Sequence, residues 1–248
     1  MATEKRFIYS ASSVGVAARF DGPHALNRAW ATANLPMIGG EDVSTVTGPA
    51  GNPVLSFASA TAHVKGWESA PGVFTTENTV TVTGLNILNR VTARKLEVNL
   101  RFTAARSPEK LTVEVTANPY EELRIDGKDF SDVVFEGDLA RKAGEDHKNF
   151  RDKELPARRR GKHHIHAKLG TAFTTLSLDP NNRLTSDPTE HGYLTVANLG
   201  RIYFGEWAEE VDWQGIVGLR VALDSGQPQA RGEIVIADWL GNNGQFYP

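Results

Sequence analysis

At 248 residues, with 40% hydrophobic and 23% charged residues and a formal net charge of −3, the chain has the composition of a globular protein long enough to bury a sizeable core. That balance excludes a surface built throughout for nucleic acid, so any basic function must be local. The absence of cysteine removes disulfides, thiolate nucleophiles and cysteine-ligated zinc or iron–sulfur sites.

The start of the chain, Met1 to Phe7, lacks the apolar stretch of roughly 7 to 15 residues that a signal peptide needs. No run approaches the roughly 18 apolar residues of a membrane helix. As written, the sequence predicts a cytoplasmic protein with no membrane span.

In chain order, Phe7 to Phe20 is strand material dense in Ala, Ser and Gly, which predicts an inner strand lying under close neighbours. Asp21-Gly22-Pro23 ends it. From His24 to Pro53 the prolines and glycines predict a long connection with one short strand around Val43 to Thr47. Val54 to Trp67 and Gly72 to Leu88 read as paired strands joined at Glu68 to Gly72, with Val80 and Val82 alternating against Thr79, Thr81 and Thr83. Gly84 breaks that alternation.

Leu96, Val98, Leu100 and Phe102 alternate with Glu97, Asn99 and Arg101. Leu111, Val113 and Val115 repeat the pattern, so the two segments form a hairpin with one wet face on each strand. Asp126-Gly127 predicts a second hairpin, joining Glu122–Ile125 to Phe130–Phe135. Asp138 could cap a short helix. Residues 138 to 162 form a charged excursion, and His164 to Leu178 returns to strand composition.

Two long strands then face each other across an acidic turn. Tyr193 to Trp207 runs through Leu199-Gly200-Arg201, its partner is Ile216 to Leu223, and Ala208 to Gly215 is the connection. Gly232 to Leu240 is the last strand, and the aromatic C-terminus predicts a tail pinned into a groove, on this chain or on another subunit. The pattern gives about ten to twelve strands against at most one or two short helices. The predicted fold is all-β: an antiparallel β-sandwich of two packed sheets, forming one domain over residues 1–248.

The blocks Thr83 to Ala93, Glu122 to Gly127, Asn198 to Glu206 and Val217 to Val221 resemble a group of uncharacterised bacterial all-β proteins and, more distantly, surface modules of the choice-of-anchor type. The resemblance implies β architecture. None of the blocks is a catalytic motif, so it implies no reaction.

Chemistry has three candidate locations. On a strand His164 and His166 share a face, and a His-x-His pair is a common way for β-scaffolds to hold a divalent metal. A third ligand would have to come from elsewhere, with His63, His191, Glu190 or Asp187 as candidates, and no glutamate follows the pair at the spacing of the cupin motif. The competing reading is polar histidines at the mouth of a charged loop.

The second location is the excursion itself. Residues 141–162 carry nine Lys/Arg and four acids, a net +5 that leaves −8 for the rest of the chain. Arg158, Arg159, Arg160 and Lys162 could grip an anionic ligand or dock on a neighbouring subunit, and a solvated loop is the bland alternative. No aromatics interleave with these basic residues, which argues against nucleic acid.

The third is aromatic. Of five tryptophans (Trp30, Trp67, Trp207, Trp213, Trp239), Trp207 and Trp213 flank the acidic connection and could contact a sugar or a partner, although tryptophans more often belong to the core. No phosphate loop, dinucleotide fingerprint or nucleophile elbow is present.

The sequence therefore predicts a non-enzymatic sandwich that works by binding or by self-assembly into a homo-oligomer, with no cofactor. A metal-dependent enzyme using His164 and His166 and a carbohydrate-binding module are the alternatives.

Overall fold

The computed structural model describes residues 6–49, 51–106, 109–115, 120–131, 133–135, 168–171, 173–175, 193–209, 214–224, 228–241 and 244–247. Among them the regular elements are all strands. In order these are β1 (Arg6–Ile8), β2 (Ala11–Asp21), β3 (Leu26–Asn34), β4 (Gly40–Thr47), β5 (Leu55–Ser56), β6 (Ser59–Ala70), β7 (Val73–Ile87) and β8 (Val91–Arg106). β9 (Glu109–Val115) returns along β8, followed by the short β10 (Tyr120–Glu121), β11 (Arg124–Ile125), β12 (Lys128–Asp129) and β13 (Val133–Phe135). The remainder are β14 (Lys168–Thr171), β15 (Phe173–Thr175), β16 (Tyr193–Val196), β17 (Gly200–Glu209), β18 (Gln214–Leu223), β19 (Arg231–Gly241) and β20 (Gln245–Tyr247).

Two antiparallel sheets pack face to face, as expected. The first has the order β14-β17-β18-β19-β2-β3 with β16 added on β17; the second has the order β12-β11-β8-β7-β6-β4, with β5 on β7 and both β9 and β10 on β8. β2 is indeed an inner strand, between β19 and β3. Val80, Val82, Leu96, Val98, Leu100 and Phe102 face the core from the second sheet. The C-terminal tail is pinned by its own chain, β20 pairing antiparallel with β1.

Besides the turn at Asp126-Gly127, which joins β11 to β12 while β13 pairs with β15, and Ala208, Glu209, Gln214 and Gly215, which extend β17 and β18 into the expected connection, three segments differ from the sequence reading. The long connection after Pro23 contains a full strand, β3. Its sequence Leu26-Asn27-Arg28-Ala29-Trp30-Ala31 lacks the β-branched composition of a strand, because it sits at an edge where Asn27, Arg28 and Ala29 face solvent. The run Tyr193 to Trp207 is two strands rather than one. Asn198 adopts φ 55° and Gly200 φ 133°, so β16 folds back on β17 with Val196 facing Gly200. A Cβ on Gly200 would lie 1.9 Å from the Ala222 oxygen, which makes glycine obligatory at that turn. Third, Phe7 to Phe20 divides at residues 9–10 into β1 and β2. The short helix after Asp138 falls outside the described residues.

The first sheet is creased along one line. Gly205, Gly218, Ala237, Gly15 and Ala31 stand opposite one another on β17, β18, β19, β2 and β3, with regular ladder pairs on either side. Gly205, Ala237 and Ala31 have φ of 54°, 56° and 54°. At this line one residue of each strand drops out of the ladder without a shift of register, and the phase of the burial alternation reverses. In β19 the buried set is Ile234 and Ile236 before the line and Trp239 after it. A straight β19 would have turned Asp238 and Leu240 inward.

Only small residues fit at the crease. A Cβ at Gly15 would meet Ala31 Cβ at 2.9 Å and Ala60 Cβ at 3.0 Å, and one at Gly218 would meet Val98 Cγ2 at 2.7 Å. The buried Tyr120 hydroxyl crosses from the second sheet to donate to the Gly218 carbonyl at 2.5 Å, satisfying a backbone oxygen at the break. Burial raises the Tyr120 pKa, which keeps the phenol a donor.

Candidate functional site

Among the described residues, the edge strand β3 of the first sheet and the edge strand β4 of the second lie on the same flank. β4 reads Gly-Glu-Asp-Val-Ser-Thr-Val-Thr, whose last five residues are uncharged, four of them β-branched on the exposed face or just inside it. Its register to β6 is continuous, from Gly40 opposite Gly66 to Thr47 opposite Ser59. Glu41, Val43, Thr45 and Thr47 face outward, with Val43 56% exposed, while Asp42, Ser44 and Val46 are half-buried.

Neighbouring side chains hold this strand straight. Thr45 and Thr61 hydroxyls lie 3.0 Å apart, and the Glu41 carboxylate lies 3.4 Å from His63 Nε2 and 4.0 Å from Lys65. The Asn34 N–H donates to Asp42 Oδ2 at 2.8 Å, tying the end of β3 to the start of β4. The ladder of charges continues inward across the sheet, Glu77 accepting from Arg101 at 2.7 Å and Glu97 pairing with Lys95 at 2.6 Å. That hydrogen bond to Glu97 is the main reason the Lys95 ammonium pKa is raised.

At one end of the sandwich, turns that the sequence resemblance had singled out separately come together. Arg90 donates to both Asp126 oxygens at 2.7 Å and to the Ala197 carbonyl at 2.8 Å, joining the β7–β8, β11–β12 and β16–β17 turns. The hydrogen bond to Asp126 raises the Arg90 pKa. This fork-on-fork geometry consumes the groups that make it, so it clamps the end of the fold.

A half-buried carboxyl lies on the outer face of the first sheet. Asp238 faces Val217 on one side and Val14 on the other, and burial pushes its pKa up to about 6. Tyr9, packed at the opposite end from Arg90 against Phe7 and Phe74, is shifted upward by burial and by Glu68.

Of the residues the sequence nominated, His164, His166, Arg158, Arg159, Arg160, Lys162 and Trp213 lie outside the described residues, as do His191, Glu190 and Asp187. Trp207 lies in β17, its backbone opposite Ile216 and Gly170. His63 is on β6 beside Glu41, and among the described residues no three His, Asp or Glu side chains group as a metal site. Trp30 and Trp239 are core, at 4% and 1% exposure, while Lys65 lies 5.8 Å from the Trp67 ring. The β4 edge went unremarked beyond its short strand, although the uncharged, β-branched run Val43 to Thr47 was the signal that could have marked it.

No curated protein and no solved structure matches this chain. Neither comparison supports the resemblance to choice-of-anchor surface modules. A family model described as a domain of unknown function, DUF8256, matches residues 7–169, a span that holds β2 to β13 but ends before β16. β2 and β3 lie within that span while β17 to β19, which complete their sheet, lie beyond it. The chain belongs to the DUF8256 family.

Proposed function

We propose that this protein is a non-enzymatic β-sandwich that works by self-assembly, a second copy adding to the open edge of β4. The observation that carries the reading is the unbroken, half-exposed strand Gly40–Thr47, whose one partner strand among the described residues is β6 and whose exposed residues include Val43 at 56%. An edge of this kind presents unpaired backbone groups that template another strand.

A two-fold pairing centred on Ser44 uses most of the strand. It sets Glu41 against Thr47, Asp42 against Val46 and Val43 against Thr45, so no acid meets an acid. Centring on Asp42 instead would oppose two carboxylates. Such a contact is isologous and closes as a dimer, continuing the second sheet from one copy into the next.

Sedimentation velocity over a rising concentration series tests the reading. The wild-type chain should convert from monomer to dimer, and Val43→Lys with Thr45→Lys should abolish the dimer while leaving the far-ultraviolet circular dichroism unchanged. A chain that stays monomeric, or a dimer indifferent to both lysines, would refute it.

A further inference from the structure

Between the sheets, away from the β4 edge, lies a group of buried polar side chains. Ser13 on β2 and Thr76 and Asn78 on β7 are at most 1% exposed, and so is Trp239 on β19. Ser13 Oγ donates to Asn78 Oδ1 at 3.0 Å, which ties the first sheet to the second. Thr76 Oγ1, Asn78 Nδ2 and Trp239 Nε1 are buried and have no hydrogen-bond partner among the described residues.

The register brings the residues that carry these atoms near one another. Trp239 is the cross-strand neighbour of Ser13, and its ring stacks on Phe102 with centroids 4.2 Å apart. Phe102 is in turn the cross-strand neighbour of Thr76, and Thr76 and Asn78 are two residues apart on the same buried face of β7. The indole leans along its strand toward Gly241, where an added Cβ would lie 3.2 Å from Cζ2, the carbon next to the ring's nitrogen-bearing edge.

Leaving three such atoms unpaired in a core would cost on the order of 1–3 kcal/mol each. A hydrophobic set would have avoided that cost, so the pattern calls for an occupant with its own hydrogen bonds. The chemistry of the four groups defines it. Asn78 Nδ2 and Trp239 Nε1 can only donate, whereas the Thr76 and Ser13 hydroxyl oxygens have lone pairs to offer once Ser13 has given its proton to Asn78. Two donors and two acceptors match the valence of one water molecule.

An anion would use the donors but would be buried without a countercharge, at much greater cost. A larger molecule has no route, since every member of the group is closed to solvent. We infer that a single long-lived water is built into the core here, accepting from Asn78 and Trp239 and donating to Thr76 and Ser13, and that it fixes how the two sheets register on each other.

Magnetic relaxation dispersion of the water signal counts such molecules in solution. The wild-type chain should show one more long-lived water than the Thr76→Val, Asn78→Leu variant, and equal counts in the two folded proteins would overturn the inference. Should the variant fail to fold, the wild-type Trp239 indole N–H provides the second readout. A cross-relaxation peak between that proton and water is expected, and its absence would overturn the inference equally.

Discussion

β3 and β4 are neighbours on one flank of the sandwich, similar in length and tied to each other by Asn34 and Asp42, yet their free edges differ. The crease of the first sheet runs out through Ala31, so β3 is bent at its middle and carries Arg28 beside the break. The second sheet is creased as well. Glu122, with φ 51°, and Gly84, with φ 61°, mark a line through Arg94 that reaches Ala58, one residue before β6 begins. β4 pairs only with the straight part beyond it. Backbone irregularity and charge protect an edge strand, and β3 has both, at Ala31 and Arg28, where β4 has neither along Val43 to Thr47.

The largest expected effect comes from filling the crease. Gly218→Val would drive a side chain into Val98 and into the Ala237 Cβ, and should cost about 3 kcal/mol or more in urea unfolding. The lysines at positions 43 and 45, on the exposed edge beside the straight part of the second sheet, should change monomer stability by less than about 0.5 kcal/mol. Similar losses for the two would break the comparison.

Asp238 gives a pH-dependent test. The phase reversal at Ala237 turns its carboxyl away from the core, but it remains half-buried between Val14 and Val217. Its folded pKa of about 6 lies above the roughly 3.9 of an unfolded aspartate, so the native state holds the proton more tightly. Stability therefore falls as pH rises from about 4 to 6 and levels off above. Asp238→Asn should stabilise the protein by about 2 kcal/mol at pH 7 and by almost nothing below about pH 4. Urea titrations across that range would show it, and a gain that did not vary with pH would remove the carboxyl from the account.

The smallest effect sharpens the comparison at the edge itself. Ala31 holds a left-handed backbone that costs an L-residue about 1 kcal/mol, so Ala31→Gly should be neutral or stabilising by up to about 1 kcal/mol. The same change at Ala33, buried on the same strand with no such φ, should destabilise by about 1 kcal/mol. Thermal melts of the two variants separate a crease from an ordinary strand.

Much of this architecture is legible in the sequence because most strands of the second sheet alternate cleanly, as Leu96 to Phe102 does. The first sheet is harder to read. Its crease places two buried residues in succession, as in Trp30-Ala31 and Ile236-Ala237, and period-two reading then puts Asp238 inside and Trp239 outside. β3 escapes notice for a related reason, since an edge strand with one buried stretch needs few β-branched residues. The hairpin at Ala197 to Leu199 is hidden because Leu199 separates Asn198 from Gly200, whereas Asp126-Gly127 is contiguous and conspicuous. The chemical motifs the sequence offered, His164 with His166 and the basic run Arg158 to Lys162, draw attention by residue type. The β4 edge has no such signal, because an unpaired backbone is a property of position in a sheet.

Hydrogen exchange followed peptide by peptide over a concentration series tests the central claim most directly. The amides of β4 should gain protection as the chain is concentrated, while those of β3 stay as they were. Protection that is independent of concentration at β4, or that grows at β3 instead, would contradict assembly through the straight edge.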